Sequence, residues 1–172
     1  GKLHFQDRTA ALWAVPFPHP KDFTPVATTE LGYMAQIEPE FTKRNAKLIG
    51  LSADAVDRHS AWAKDIHETQ GSEVKYPMIA DHDLKVAKLY NMLPADEPGT
   101  SEGRTAATNQ AVRSVFVIGP DKKIKLTLTY PMSTGRNFDE LLRVLDSMPL
   151  TAQHKWAPPA YWQHRADGTL SG

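Results

Sequence analysis

From residue 47 to residue 130, short apolar runs alternate with stretches of helical periodicity, and this alternation narrows the folds open to the chain more than any other feature. Lys47–Ser52 (KLIGLS) reads as a buried strand. Ala55–Thr69 reads as a helix with Ala61, Trp62 and Ile66 inward and Gly71 ending it. Tyr76–Ala80 is a second strand and Leu84–Met92 a further helix. Val112–Ile118 is a continuous apolar run apart from Arg113 and Ser114, and the turn Gly119 to Lys122 leads into Lys123–Tyr130. In that last run Ile124, Leu126, Leu128 and Tyr130 share one face, and Lys123, Lys125, Thr127 and Thr129 the other. Strands separated by helices and closed by an antiparallel hairpin predict an α/β fold, a mixed sheet with helices on both faces.

The flanking regions are less regular. Leu12–Phe17 is apolar, but Pro16 and Pro18 make it a poor central strand by its own chemistry. Helical spacing runs from Thr24 to about Asn45, with Leu31, Met34, Ile37 and Phe41 inward and Pro39 expected to kink or divide the helix. Residues 94–111 form a long polar loop, of a length that is often functional. Asn137 can cap a last helix, Phe138–Met148, carrying Leu141, Leu142 and Val144 on its apolar side.

With 172 residues and no internal repeat, the chain reads as one domain. Lys plus Arg equals Asp plus Glu at 20 each, so no bulk field attracts nucleic acid or an anionic membrane. No run approaches the length of a membrane span, and the first ten residues lack a signal-peptide core. The absence of cysteine excludes disulfides and thiolate metal sites. His4, His59, His67, His82, His154 and His164 show no metal-ligand spacing, and Asp81-His82-Asp83 reads as a polar helix N-terminus, so no metal is expected.

One stretch carries chemistry. In His19–Gly32 (HPKDFTPVATTELG), Thr24 is placed as N-cap and Pro25 at the first helical position. Residue 27 then has its N–H among the unpaired donors at the positive end of the helix. A thiol there would have a depressed pKa and react as thiolate. The residue is Ala27. Taken singly, Thr-Pro before a helix is an ordinary cap, and Arg113, Arg136 and Glu30 are ordinary ion-pairing residues.

As a set these residues strongly resemble the peroxiredoxins, whose active-site loop reads Pro, three residues, Thr, two residues, Cys. Pro20, Thr24 and Ala27 hold those places. TTELG, GPDKK, TGRNFDE and the following LTA are similar to the 1-Cys branch, and the similarity runs from about Gly1 to Trp162. The resemblance implies a thioredoxin-like fold and reduction of hydrogen peroxide and organic hydroperoxides by a single cysteine at position 27. Thr24, Arg113 and the N–H of residue 27 would bind the peroxide, with Pro20 and Val26 beside them. Glu30 and Arg136 would support that site, and His19 matches the histidine before the family's proline. The implied partners are a small-molecule peroxide, an external thiol reductant, and a second copy in a homodimer or larger ring. No cofactor is implied, and the expected setting is the cytoplasm. The expected division is a peroxiredoxin domain over residues 1–149 and the truncated start of a C-terminal arm over 150–172.

The departures matter as much. Alanine cannot form a thiolate or carry a sulfenic acid, so the chain is expected to be inactive, and retention of the surroundings fits a substituted catalytic cysteine. Leu12 and Gln6 stand where some family members carry the Ser and His credited with phospholipase activity; Asp121 alone matches, so no lipase is expected. Without C-x-x-C, disulfide reduction of the thioredoxin type is excluded. The competing reading is a non-catalytic scaffold acting as a dimer, with Lys123–Tyr130 as a pairing edge unless that strand is internal.

Overall fold

The computed structural model describes residues 4–94, 105, 110–155, 157–164 and 170–171. Two compact units make up the chain, residues 1–136 and 137–172. The first contains α1 (Phe5–Thr9), β1 (Trp13–Pro18), α2 (Pro25–Lys43), β2 (Ala46–Ser52), α3 (Val56–Gln70), β3 (Met78–Ala80), α4 (Lys85–Leu89), β4 (Arg113–Ile118) and β5 (Ile124–Tyr130). Its five strands form one sheet in the order β3-β2-β1-β4-β5. β1 and β3 run parallel to β2, while β4 is antiparallel to both β1 and β5.

Helices lie on both faces, the thioredoxin-like arrangement. On one face the Phe17 and Tyr76 rings pack at a steep angle with centroids 5.2 Å apart, and the Tyr76 hydroxyl donates to the Leu31 carbonyl of α2 at 2.8 Å. On the other, Ala14, Leu51, Phe116 and Ile118 pack with Leu84, Ala87 and Met92 at α4 and with Phe5 of α1. That second face also carries an apolar cleft of about 670 Å³, lined by Pro16, Ile49, Leu51 and Met92 among others.

β1 corrects the expectation drawn from its prolines, since it is the central strand. Trp13 and His19 donate their N–H groups to Asn45 and Leu51, on the β2 side. Successive N–H groups alternate in direction, so Pro16 and Pro18 turn their missing donors toward β4. The parallel ladder to β2 is therefore intact from Trp13 to Pro18, whereas β1 and β4 register only at Ala14↔Ile118. Continued from that pair, the antiparallel register sets Pro18 opposite Ser114. The Arg136 guanidinium fills this gap, its Nη1 donating to the carbonyls of both Pro18 and Ser114.

Other elements follow the hydrophobic pattern with local exceptions. α2 is one helix despite Pro39, which is exposed, while Met34 and Phe41 on either side of it are fully buried. Ile37 is only half-buried. In α3 the buried set is His59, Trp62 and Ile66, at steps of three and four, and Ala61 is exposed rather than inward. Gly71 ends α3 with φ 71°, a left-handed cap. β3 and α4 are shorter than their sequence patterns, and the Asp81 carboxylate accepts from the N–H groups of Val86 and Ala87, as a polar helix start should. β5 is a sheet edge, with Lys125, Thr127 and Thr129 exposed and Leu126, Leu128 and Tyr130 half-buried. Most of the loop 94–111 lies outside the described residues.

The second unit holds α5 (Asp139–His154) and a two-stranded ladder of β6 (Gln163–His164) and β7 (Leu170–Ser171). The Asn137 carboxamide accepts from the N–H groups of Asp139 and Glu140 at 3.1 and 3.4 Å, which caps α5. The helix runs past Met148 and carries Pro149 inside it.

Candidate active site

Residue 27 lies where its sequence context puts it, in the first turn of α2, and it is fully buried. Thr24 is the N-cap, with extended backbone (φ −103°, ψ 144°), and its carbonyl takes the first helical bond from the Thr28 N–H at 2.8 Å. Its hydroxyl does not cap the helix. It donates to the Lys21 carbonyl at 3.0 Å, so the hydroxyl oxygen keeps lone pairs for another donor. The early N–H groups of α2 thus receive no side-chain cap from Thr24, and the positive end of the helix dipole is uncompensated by it. Pro20 is buried and Val26 half-buried. A Cβ added to Gly135 would stand 3.9 Å from Val26 Cγ1, so the segment leading to Arg136 passes close to this turn.

One turn further, Glu30 gathers both arginines. Its Oε2 accepts from Arg113 Nη1 at 2.7 Å and from Arg136 Nη2 at 3.0 Å; its Oε1 accepts from Arg136 Nε at 3.0 Å and from the Arg136 N–H at 2.8 Å. Arg113 Nε donates to the Met132 carbonyl at 2.6 Å. All three side chains are buried, which is affordable only because every charge here is hydrogen-bonded. Two guanidinium groups share one carboxylate, so this cluster carries a net positive charge one turn from residue 27. Such a charge, together with the helix dipole, lowers the pKa of a thiol and favours negative charge on a departing oxygen.

His19 is buried at the end of β1, its ring 4.9 Å from that of Trp62, and Trp62 Nε1 donates to Thr28 Oγ1 beside residue 27. His19 does not stand alone: Asp22 lies between it and His59, at 2.6 Å from His19 Nε2 and 2.5 Å from His59 Nδ1. Among the described residues these three form the one group whose ligand atoms lie close enough to hold a metal, all within 4.8 Å. The carboxylate oxygens are already occupied by the two rings and by the Ser52 hydroxyl at 3.2 Å, a hydrogen-bonded arrangement rather than an open ligand set. Asp22 and His59 were not singled out by sequence reasoning. They are 37 residues apart, and the chain's return through α2 and β2 into α3 brings them together.

The structure thus brings His19, Ala27, Glu30, Arg113 and Arg136 to the head of α2, with Thr24 opening the helix. Comparison with known proteins gives the family. A family model described as the AhpC/TSA family matches residues 3–127. The chain is 47% identical over 162 residues to a 1-Cys peroxiredoxin of Dictyostelium discoideum, covering 94% of this chain and 64% of that protein's length. It superposes with a TM-score of 0.85 on a cysteine-to-serine mutant of the peroxiredoxin 6 of Arenicola marina, at 50% identity, covering 95% of this chain and 73% of the other. A yeast mitochondrial 1-Cys peroxiredoxin, whose structure is described as the basis of thiol resolution via the glutathione and thioredoxin systems, matches with a TM-score of 0.81 at 45% identity, covering 95% of this chain and 76% of that one. The chain belongs to the AhpC/TSA family, within its 1-Cys peroxiredoxin branch, and contains no cysteine at all.

Proposed function

We propose that the site is built to reduce hydrogen peroxide and small organic hydroperoxides with a thiolate at position 27, and that the chain with Ala27 is the inactive form of that enzyme. In the thiol form the sulfur attacks one peroxide oxygen as the O–O bond breaks. The second oxygen leaves with the bonding pair and takes a proton, giving water or an alcohol, and the cysteine becomes a sulfenic acid. An external thiol then attacks the sulfenic sulfur and releases water, and a second thiol frees the cysteine as the thiol disulfide departs. Thr24, Arg113 and the N–H of residue 27 hold the peroxide; Glu30 and Arg136 hold Arg113; Pro20 and Val26 shape the turn. The clasp of both arginines on Glu30, one turn from residue 27, is the observation that carries this reading. It supplies the cationic surroundings that a thiolate and a leaving oxyanion require.

The reductant is a thiol outside the chain, as in the yeast mitochondrial relative, and a reducing compartment such as the cytoplasm suits a one-thiol cycle. Ala27→Cys tests the reading directly. With peroxide and excess dithiothreitol, the variant consumes peroxide by a saturable, enzyme-dependent path and the parent chain does not. A folded variant that forms no sulfenic acid refutes it.

The edge position of β5 favours one further element, a homodimer formed by sheet-to-sheet pairing along Ile124–Tyr130, or a larger ring built from such dimers. Leu126→Glu should then reduce the mass seen by sedimentation to that of one chain. An unchanged mass places the interface elsewhere.

A further inference from the structure

The buried array at His59, Asp22 and His19 has hydrogen-bond directions that determine where its protons sit. His59 Nδ1 faces the Asp22 carboxylate at 2.5 Å and its Nε2 faces the Ile79 carbonyl at 3.2 Å. Both partners only accept, so both ring nitrogens donate and His59 is an imidazolium. Asp22 is its counter-ion. His19 Nε2 lies 2.6 Å from the other carboxylate oxygen and must donate to it, while His19 Nδ1 is buried with no hydrogen-bond partner among the described residues. A buried N–H without an acceptor costs more than a bare lone pair, so the proton belongs on Nε2.

The charges around the array agree with this assignment. Burial pushes His19 down, against the pull of Asp22, and Arg136 pushes the same way. Burial would also push His59 down, but its bonds to Asp22 and Ile79 and the nearby Asp54 carry it above its ordinary value. Burial alone would raise Asp22, but the two histidines hold its carboxyl well below the usual carboxylate range. Ser52 of β2 also donates to Asp22, and Arg58 of α3 pairs with Asp54 at 3.0 Å and donates to the Asp22 carbonyl.

We propose that Asp22 and His59 are positioning residues: the His59 imidazolium and the Asp22 carboxylate together hold His19 as a neutral ring with its proton on Nε2 and its lone pair on Nδ1, beside the head of α2. This rests on the peroxidase reading for its purpose. In that reaction a neutral acceptor is useful where a peroxide O–H or a thiol S–H must be held, and a second cation on His19 would leave it without a lone pair. Without His59, Asp22 has a single cationic partner left to recruit, and His19 becomes the protonated member.

Nitrogen-15 imidazole spectra of the Ala27 chain test the protonation pattern without any activity. Between pH 6 and 8 the expected spectrum shows His59 with both nitrogens protonated, and His19 protonated on Nε2 alone. A neutral His59 at pH 7, or a His19 proton on Nδ1, overturns the proposal. So does one equivalent of zinc chloride shifting both rings, which makes the cluster a metal site. In the Ala27→Cys protein, His59→Gln should add an acid limb near pH 7 to the pH profile of peroxide consumption, absent when His59 is kept; in Asp22→Asn the His59 ring should lose its second proton by pH 7. Loss of stability with an unmoved pH profile in a folded His59→Gln protein reduces the array to a structural tie and overturns the proposal. If Ala27→Cys proves inactive, the peroxidase reading fails while the spectra still decide the protonation pattern.

Discussion

Glu30→Gln is the perturbation whose cost can be worked most directly from the structure. The carboxylate accepts four hydrogen bonds from two guanidinium groups and one backbone N–H, all buried. Glutamine keeps the shape but removes the charge, and its NH2 group turns donors toward donors. Two buried guanidinium groups then share no counter-ion, and removal of one partner from a buried ion pair costs about 3–5 kcal/mol. At about 2–4 °C per kcal/mol for a chain of this size, the melting temperature should fall by roughly 6–20 °C. In urea, with a slope of about 2 kcal/mol per molar, the midpoint should fall by roughly 1.5–2.5 M with the slope unchanged. Far-UV circular dichroism during a urea titration reads both quantities. A folded Glu30→Gln protein that loses less than about 1 kcal/mol refutes the account of this cluster, because some other group would then be compensating the arginines.

Two further substitutions test the scaffold around the site. Tyr76→Phe removes the bond from the Tyr76 hydroxyl to the Leu31 carbonyl and should lower stability in urea by about 1 kcal/mol, while leaving the Phe17 edge contact in place. Gly71→Ala meets nothing within 4 Å, so its expected loss of about 1 kcal/mol comes from φ 71° alone; a neutral result would show that the end of α3 relaxes.

Much of the fold was legible because it rests on local periodicity. KLIGLS, the α3 stretch and the hairpin through Gly119 to Lys122 have patterns that few other arrangements satisfy. β1 was misjudged because a proline removes a donor on only one side of a strand, and a sequence does not say which side has a neighbour that needs it. Here Arg136, 118 residues beyond Pro18, donates to the carbonyls of both Pro18 and Ser114. Separation in sequence, here 37 residues, also hid the array of Asp22 and His59. In α3 the expected inward set named Ala61 where the buried residue is His59, although steps of three and four join His59, Trp62 and Ile66. The active-site stretch was readable because the cap, the proline and residue 27 are contiguous. The clasp on Glu30 joins α2, β4 and the segment after β5, and spacing alone carries no trace of it.

The head of α2 and the charge surplus on Glu30, Arg113 and Arg136 should together stabilise an anion at residue 27. A thiol placed there by Ala27→Cys should titrate, by thiolate ultraviolet absorbance, clearly below the ordinary value of about 8.5, and Arg113→Met in the same background should move it back up. A folded Ala27→Cys protein whose thiol titrates at or above that ordinary value contradicts the account.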